Sequence, residues 1–422
     1  MNFTTRLVSF EAAPGDRTRP TNTPIYQTAT FEQESALAFG EYDYARSGNP
    51  TRRVLEDLLA ELEGGVRGFA FASGLAAITA VTRLLKPGDE LLACEDLYGG
   101  AFRLFSRILT ERGILVRYAD FTGEGPLPLS DKTKLVYLES PSNPLLKISD
   151  IRRIAREAHA AGVLVCVDGT SMTPYLQRPL ELGADIVLHS ATKYLSGHAD
   201  VTAGIVVAKE QAIAEKLYFI QNGEGAVLGP QDCYYLLRGI KTLSLRLDRQ
   251  QQTAQRIAEW LCSPSLSKDG SSPAFRVHFP GLRNHPGHDL HLSQALGPGA
   301  VVSFETGDPE LSVRIVEGLK IFSIAVSFGG VGSSATVPCY MSHAPIAKAA
   351  GANIPRPGNP PPPDLVRLSV GIEDAADLIA DLAQSIAAAR RGAGAVESAT
   401  PVVSIPATKA AAKPLAPQGA IP

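Results

Sequence analysis

Apolar residues along this chain fall into two recurring patterns: short unbroken runs, and stretches in which they return every third or fourth position. From residue 51, Val54, Leu55, Leu58, Leu59 and Leu62 share one helical face, and Gly64-Gly65 closes the stretch. Residues 68–72 then read as a strand. Behind Ser73-Gly74, Leu75, Ile78, Val81 and Leu85 resume the helical spacing. Residues 90–94 and 135–138 are further apolar strands, and Ile151, Ile154 and Ala158 place a helix over 151–161. The β-branched run 163–167 closes on Asp168 and reads as a buried parallel strand. Two more runs, 186–188 and 205–207, follow. This alternation over residues 65–210 predicts an α/β fold with a mostly parallel, doubly wound sheet and helices on both faces.

Outside that unit the pattern changes. Residues 1–50 are rich in Thr, Pro and Gly with little periodicity, and read as an extended arm rather than a domain. Residues 51–245 form the large domain. After a polar helical stretch that continues to Trp260, strands at 300–305 and 365–370 mark a smaller C-terminal α/β domain, 246–391. Ahead of its last strand, residues 345–363 carry a proline run that reads as an extended loop near the site. Residues 392–422 lack the large apolar side chains a core needs and read as a disordered tail.

Composition narrows the function classes. Among 422 residues, 40 basic and 43 acidic side chains give no large field of either sign, so neither a nucleic acid nor an anionic membrane is implied as partner. The five cysteines show no CxxC spacing and read as reduced residues of a cytoplasmic protein. His285, His288 and His291 stand three apart, but no carboxylate or cysteine is spaced to complete a metal site, so no metal is expected. The N-terminus carries Arg6, Glu11 and Asp16 with no apolar signal core, and no run approaches a membrane span.

Candidate chemistry centres on Lys193. It lies beyond the strand at 186–188, in a loop, with Ser190 and Thr192 just before it. A lone loop lysine is ordinarily a solvated charge. An amine beside hydroxyls also suits covalent attachment to an aldehyde and hydrogen bonds to a phosphate, the two demands of pyridoxal phosphate (PLP). Asp168 ends a parallel strand and so faces the same crevice, where ligands of open α/β sheets bind. By itself it fits two roles, an N-cap ahead of Gly169 and Thr170 or the partner of a pyridine nitrogen. Similarly, Ser73-Gly74 is either a turn that needs glycine for geometry or a phosphate site at a helix N-terminus.

At these positions the chain resembles the Cys/Met-metabolism PLP enzymes of fold type I, nearest the cystathionine γ-synthase and γ-lyase group. The likeness runs through Y-A-R-S-G-N-P-T at 44–51, A-S-G-L at 72–75, D-L-Y-G-G at 96–100 and E-S-P-S-N-P at 139–144. It continues through V-D-G-T at 167–170, S-A-T-K-Y-L-S-G-H at 190–198, S-F-G-G-V at 327–331 and R-L-S-V-G-I-E-D at 367–374. The resemblance implies that Lys193 carries PLP and that Asp168 holds its ring nitrogen. It further implies that Tyr98 stacks on the ring and helps protonate the leaving group, and that Asn143 faces the phenolic oxygen. Ser73, Gly74, Leu75, Ser190 and Thr192 would hold the phosphate, with Thr170 also at the cofactor. Tyr44 and Arg46 would reach the phosphate of a neighbouring subunit, making a homotetramer, a dimer of dimers, with shared sites.

For the substrate, the resemblance places the α-carboxylate on Arg367 and near Ser327, with Asn143 beside them. From spacing alone, Arg367 reads rather as a surface arginine pairing with Glu373 or Asp374. Asp43 matches an acidic position of the cystathionine γ enzymes, whereas Gly332 stands where cystathionine enzymes commonly carry Glu. Gly100 stands where methionine γ-lyases carry cysteine. The implied activity is γ-replacement or γ/β-elimination on a sulfur-containing amino acid or an O-acylhomoserine. Alternatives are an O-acylhomoserine sulfhydrylase or methionine γ-lyase-like enzyme, and a PLP-binding protein with little turnover.

Overall fold

The helical stripe that starts near residue 51 folds as Pro50–Glu63. Asn49 caps it, accepting from the amides of Thr51 and Arg52 at 3.0 and 3.2 Å, and Pro50 supplies a first residue that needs no hydrogen-bond partner. Gly64 ends it in the left-handed conformation, φ 74°. Its apolar face, Val54, Leu55, Leu58, Leu59 and Leu62, is buried. In this computed structural model, residues 1–267, 274–344, 346, 354–355 and 360–393 are described.

That face packs on a seven-stranded sheet of β1 (Arg67–Phe71), β2 (Glu90–Cys94), β3 (Leu115–Ala119), β4 (Thr133–Glu139), β5 (Leu164–Asp168), β6 (Ile186–Ser190) and β7 (Gly204–Ala208). Their order is β1-β7-β6-β5-β4-β2-β3. Pairings from β3 through β6 are parallel, and β7 runs antiparallel to both β6 and β1. Antiparallel neighbours need only a loop between them. Here that loop is 191–203, and it carries Lys193. The fold is thus the expected α/β arrangement with a mostly parallel sheet.

The central strands are largely apolar inside: Leu91, Leu92, Val136, Val165, Val167, Val187 and Leu188 are fully buried. Each such side chain contributes about 1.5–3 kcal/mol on leaving water, so a charge at Val167 would break the layer. Because the strands are parallel, Tyr98, Glu139, Asp168 and Ser190 emerge at or just beyond the carboxyl ends of β2, β4, β5 and β6, along one edge.

A second, smaller sheet is built from β8 (Arg276–His278), β9 (Val301–Glu305), β10 (Ser323–Ile324), β11 (Ser334–Thr336) and β12 (Leu365–Ser369), in the order β10-β11-β12-β9-β8. One continuous helix, Leu243–Leu261, runs through position 245. Buried Gln250 on it donates to the carbonyls of Gly330 and Val370, each at 2.9 Å. Ser303 of β9 donates to Pro144 O at 2.8 Å, and Gln294 to Ser149 O at 2.8 Å. The last two bonds tie this part of the chain to the segment after β4, at the crevice edge of the large sheet.

Between a short helix, Phe3–Arg6, and the helix Pro50–Glu63, the N-terminal segment forms only isolated bridges, Thr30 with Tyr44 and Ser35 with Ala38. The last helix, Ala375–Ala393, reaches just into the segment read as a tail. The rest of that tail, and most of the proline-rich stretch 345–363, lie outside the described residues. All five cysteines are free thiols. Among the described residues no helix is long and apolar enough to cross a membrane.

Candidate active site

A cavity of about 410 Å³ opens where the carboxyl ends of the large sheet meet β12. Lys193 reaches into it from the 191–203 loop and donates from Nζ to Ser327 Oγ at 2.6 Å. Burial pushes its ammonium down to about 8, and the nearby Arg367 charge pushes the same way, partly opposed by Asp168. A lysine so perturbed is a competent nucleophile and base near neutrality.

Asp168 lines the same cavity. Its Oδ2 accepts from Tyr137 Oη at 3.0 Å, and its Oδ1 accepts from the Thr170 amide at 3.0 Å and from the Thr170 hydroxyl. Oδ1 thus closes a turn at Thr170 and caps no helix: the next one, Thr173–Leu176, begins at Met172 without a side-chain cap, which corrects the N-cap alternative. Beside it, in register across β4 and β5, stands Glu139. Burial, with Asp168 alongside, pushes the Glu139 carboxyl well above its usual range. Its Oε1 accepts from the Tyr98 amide at 2.9 Å. Tyr98 is 40% exposed and lines the opening, and an added Cβ at Gly100 would sit 2.4 Å from its ring.

At one end of the cavity, Ser73 caps the helix Gly74–Thr82, taking the Ala76 amide at 3.0 Å. The first amides of any helix lack intrahelical acceptors, so those of Gly74 and Leu75 are free to meet an anion. Gly74 lies so close to β6 that an added Cβ would be 2.9 Å from Ser190 Cβ. Thr192 is nearby, but its hydroxyl is engaged with Ala203, accepting its amide at 2.9 Å.

At the other end Arg367 is 2% exposed. It donates to Asn143 Oδ1 at 2.7 Å and to Ser327 O at 2.9 Å, and its buried Nε has no partner. Burial draws its guanidinium down to about 10. Among the described residues no carboxylate pairs with it: Glu373 accepts from Ser333 N and Oγ at 2.6 and 2.8 Å, and Asp374 pairs with Arg249 at 3.5 Å. The reading of Arg367 as a surface partner of Glu373 or Asp374 is thereby corrected, because β12 runs inside its sheet. A buried cation without a counter-charge is costly, and an arriving carboxylate offsets that cost. Asn143 is itself fixed, its carbonyl meeting His343 Nε2 at 3.0 Å. The loop carrying it is tied to buried Asp96, which accepts from the Ser142 hydroxyl and from the Leu145 amide at 3.0 Å.

The set at hand is an amine of lowered pKa, a carboxylate, free helix amides and an arginine fork, all lining one cavity. Comparison with known proteins gives that set its setting. Residues 4–387 match the family described as Cys/Met metabolism PLP-dependent enzyme.

The chain belongs to that family.

It is a PLP-dependent enzyme of transsulfuration, acting on carbon–sulfur chemistry of amino acids. It is 51% identical over 363 residues to the chloroplastic cystathionine β-lyase of Arabidopsis thaliana, covering 86% of this chain and 76% of that protein. It is 46% identical over 384 residues to cystathionine β-lyase MetC of Bacillus subtilis, covering 90% of this chain and 95% of that one. Among solved structures, cystathionine γ-lyase from Lactobacillus plantarum, complexed with L-serine, superposes with a TM-score of 0.85. It is 38% identical and covers 92% of this chain and 100% of its own.

Twelve of the positions read from the sequence line one cavity: Ser73, Gly74, Leu75, Tyr98, Asn143, Asp168, Thr170, Ser190, Thr192, Lys193, Ser327 and Arg367. Asp43, Tyr44 and Arg46 do not line it. Tyr44 is 43% exposed, Arg46 donates to the side chain of Asn222 at 2.9 Å and to its carbonyl, and Asp43 Oδ1 takes the Tyr44 amide at 2.6 Å. Sequence reasoning passed over Glu139, Phe328 and Ser342, which also line the cavity. Glu139 had a signal, its place at the end of a strand beside the one ending in Asp168. Of the histidines at 285, 288 and 291, the last two meet backbone carbonyls, His288 with Pro280 at 2.7 Å and His291 with Gly297 at 2.9 Å.

Proposed function

We propose that this family member is a cystathionine β-lyase, splitting cystathionine with water into homocysteine, pyruvate and ammonia. The observation that carries this reading is 51% identity to one protein of that name and 46% identity to another from a distant organism. The residues fit the cofactor. Lys193 would bind it covalently, the Gly74 and Leu75 amides with Ser190 and Thr192 would hold its phosphate, Asp168 would hold its ring nitrogen, and Tyr98 would cover one face. Bound PLP supplies an electron sink for charge developing at the substrate Cα.

The remaining work falls to the chain's own side chains. Arg367, with Asn143 and Ser327 at its flank, takes the α-carboxylate and fixes the Cα–H direction. Lys193, about half of it neutral at pH 8, is placed to remove the α-proton. The departing sulfur then receives a proton from Tyr98 or from Lys193. β-Elimination needs only that first proton removed, whereas a γ reaction needs a second, at Cβ.

In this reading, Arg46, Tyr44 and Asp43 complete the site of a neighbouring subunit in a cytoplasmic homotetramer, with no nucleic acid or membrane as partner. Asp43 would serve the distal amino group, since position 332 carries glycine. The test is an assay of the purified holoenzyme with cystathionine. Pyruvate with homocysteine supports the β-lyase; 2-oxobutyrate with cysteine, or turnover of O-acylhomoserines alone, assigns the chain to the γ or sulfhydrylase branch instead.

A further inference from the structure

Glu139 has no part in the chemistry just described, yet it is a carboxyl only 6% exposed in the cavity wall. It stands next to Asp168 across the strand register, where a second negative charge would be unfavourable. Its recorded bond is to the Tyr98 amide, at 2.9 Å. Tyr98 begins the short helix Gly99–Arg103, and its ring folds back over Gly100, where a Cβ would meet Cε1 at 2.4 Å and Cζ at 2.7 Å. Gly99 in turn lies under the small domain, 2.5 Å from Ser342 O if it carried a Cβ. The Tyr98 backbone is thus held from below by one side chain and from above by close packing.

We infer that Glu139 is a positioning residue: through its hydrogen bond to the Tyr98 amide it sets the height and tilt of the Tyr98 ring over the cofactor. It acts as a neutral acceptor, consistent with the direction in which burial and Asp168 drive its carboxyl. This inference rests on the assignment of Tyr98 to the cofactor face. A ring displaced by about 1 Å from its working position costs about a hundredfold in rate, so the bond is worth testing as a unit with the tyrosine.

The experiment is a double-mutant cycle on the holoenzyme, reading kcat, KM and the visible circular dichroism of bound PLP. Glu139→Ala is expected to lower kcat about 10- to 100-fold and to weaken the dichroic band, with KM changed less than about threefold. Glu139→Gln, which keeps a carbonyl oxygen in place, is expected to restore both to within about threefold. In a Tyr98→Ala background, Glu139→Ala should add less than about threefold. Additive losses, or a Glu139→Gln variant as impaired as Glu139→Ala, overturn the inference while leaving the role of Tyr98 standing. A Tyr98→Ala protein with unchanged kcat and dichroism overturns both.

Discussion

Replacing Arg367 by lysine keeps a positive charge in the cavity but removes the planar fork. In the structure the guanidinium spans Asn143 Oδ1 and Ser327 O, at 2.7 and 2.9 Å, with Nε left over, so it is held in place with donor capacity to spare. A charge-assisted hydrogen bond contributes about 1.5–3 kcal/mol. A lysine ammonium retains about one of the two bonds a fork makes to a carboxylate, so the loss is one such bond. At about 1.4 kcal/mol per factor of ten, that is roughly a 10- to 150-fold rise in KM. Because the carboxylate is bound alike before and during reaction, kcat should stay within about threefold. Steady-state kinetics with cystathionine, alongside PLP content from absorbance, measure both. A carboxylic acid lacking the amino group should inhibit competitively and lose affinity by the same factor. An unchanged KM, with unchanged inhibitor affinity, would refute the assignment of Arg367 to the carboxylate.

Other expectations follow from the same geometry. With the Lys193 amine at about 8 instead of 10.5, about half of it is neutral at pH 8, against roughly one part in 300 for an unperturbed lysine. Uptake of PLP by the cofactor-free protein should therefore accelerate as pH rises toward 8 and level off above it; stopped-flow absorbance showing a midpoint near 10.5 would contradict this. Asp168→Asn should leave PLP attached yet lower kcat by about two to three orders of magnitude, as removal of a charge-stabilising group does; a rate within threefold of the parent's would count against it. Gly100→Ala puts a methyl against the Tyr98 ring, so it should reduce kcat while leaving the melting temperature within a few degrees.

The large sheet was legible because its strands are buried on both faces, which leaves continuous apolar runs with few competing readings. β3 was not legible: it is an edge strand, its side chains part-exposed, and Arg117 within it pairs with Glu90 of β2 at 2.7 Å, so its pattern mixes polar and apolar. β10 has both residues exposed and left no pattern at all. Lys193 and Asp168 could be placed in one crevice from strand ends alone, since parallel strands bring their carboxyl ends to one edge. Arg367 could not. The acids that follow it in sequence, Glu373 and Asp374, are occupied by Ser333 and Arg249, contacts that join segments far apart in the chain. The histidine at 343, which fixes Asn143 across about two hundred residues of sequence, carries no local signal either. Nor does Asn222, the partner of Arg46 within this chain.

Borohydride reduction of the holoenzyme, followed by proteolysis and mass spectrometry, tests most directly the claim that one amine in this cavity holds the cofactor. The pyridoxyl group is predicted on the peptide containing Lys193 and on no other; finding it on a different lysine, or finding Lys193 unmodified in a protein that retains PLP, would contradict the account.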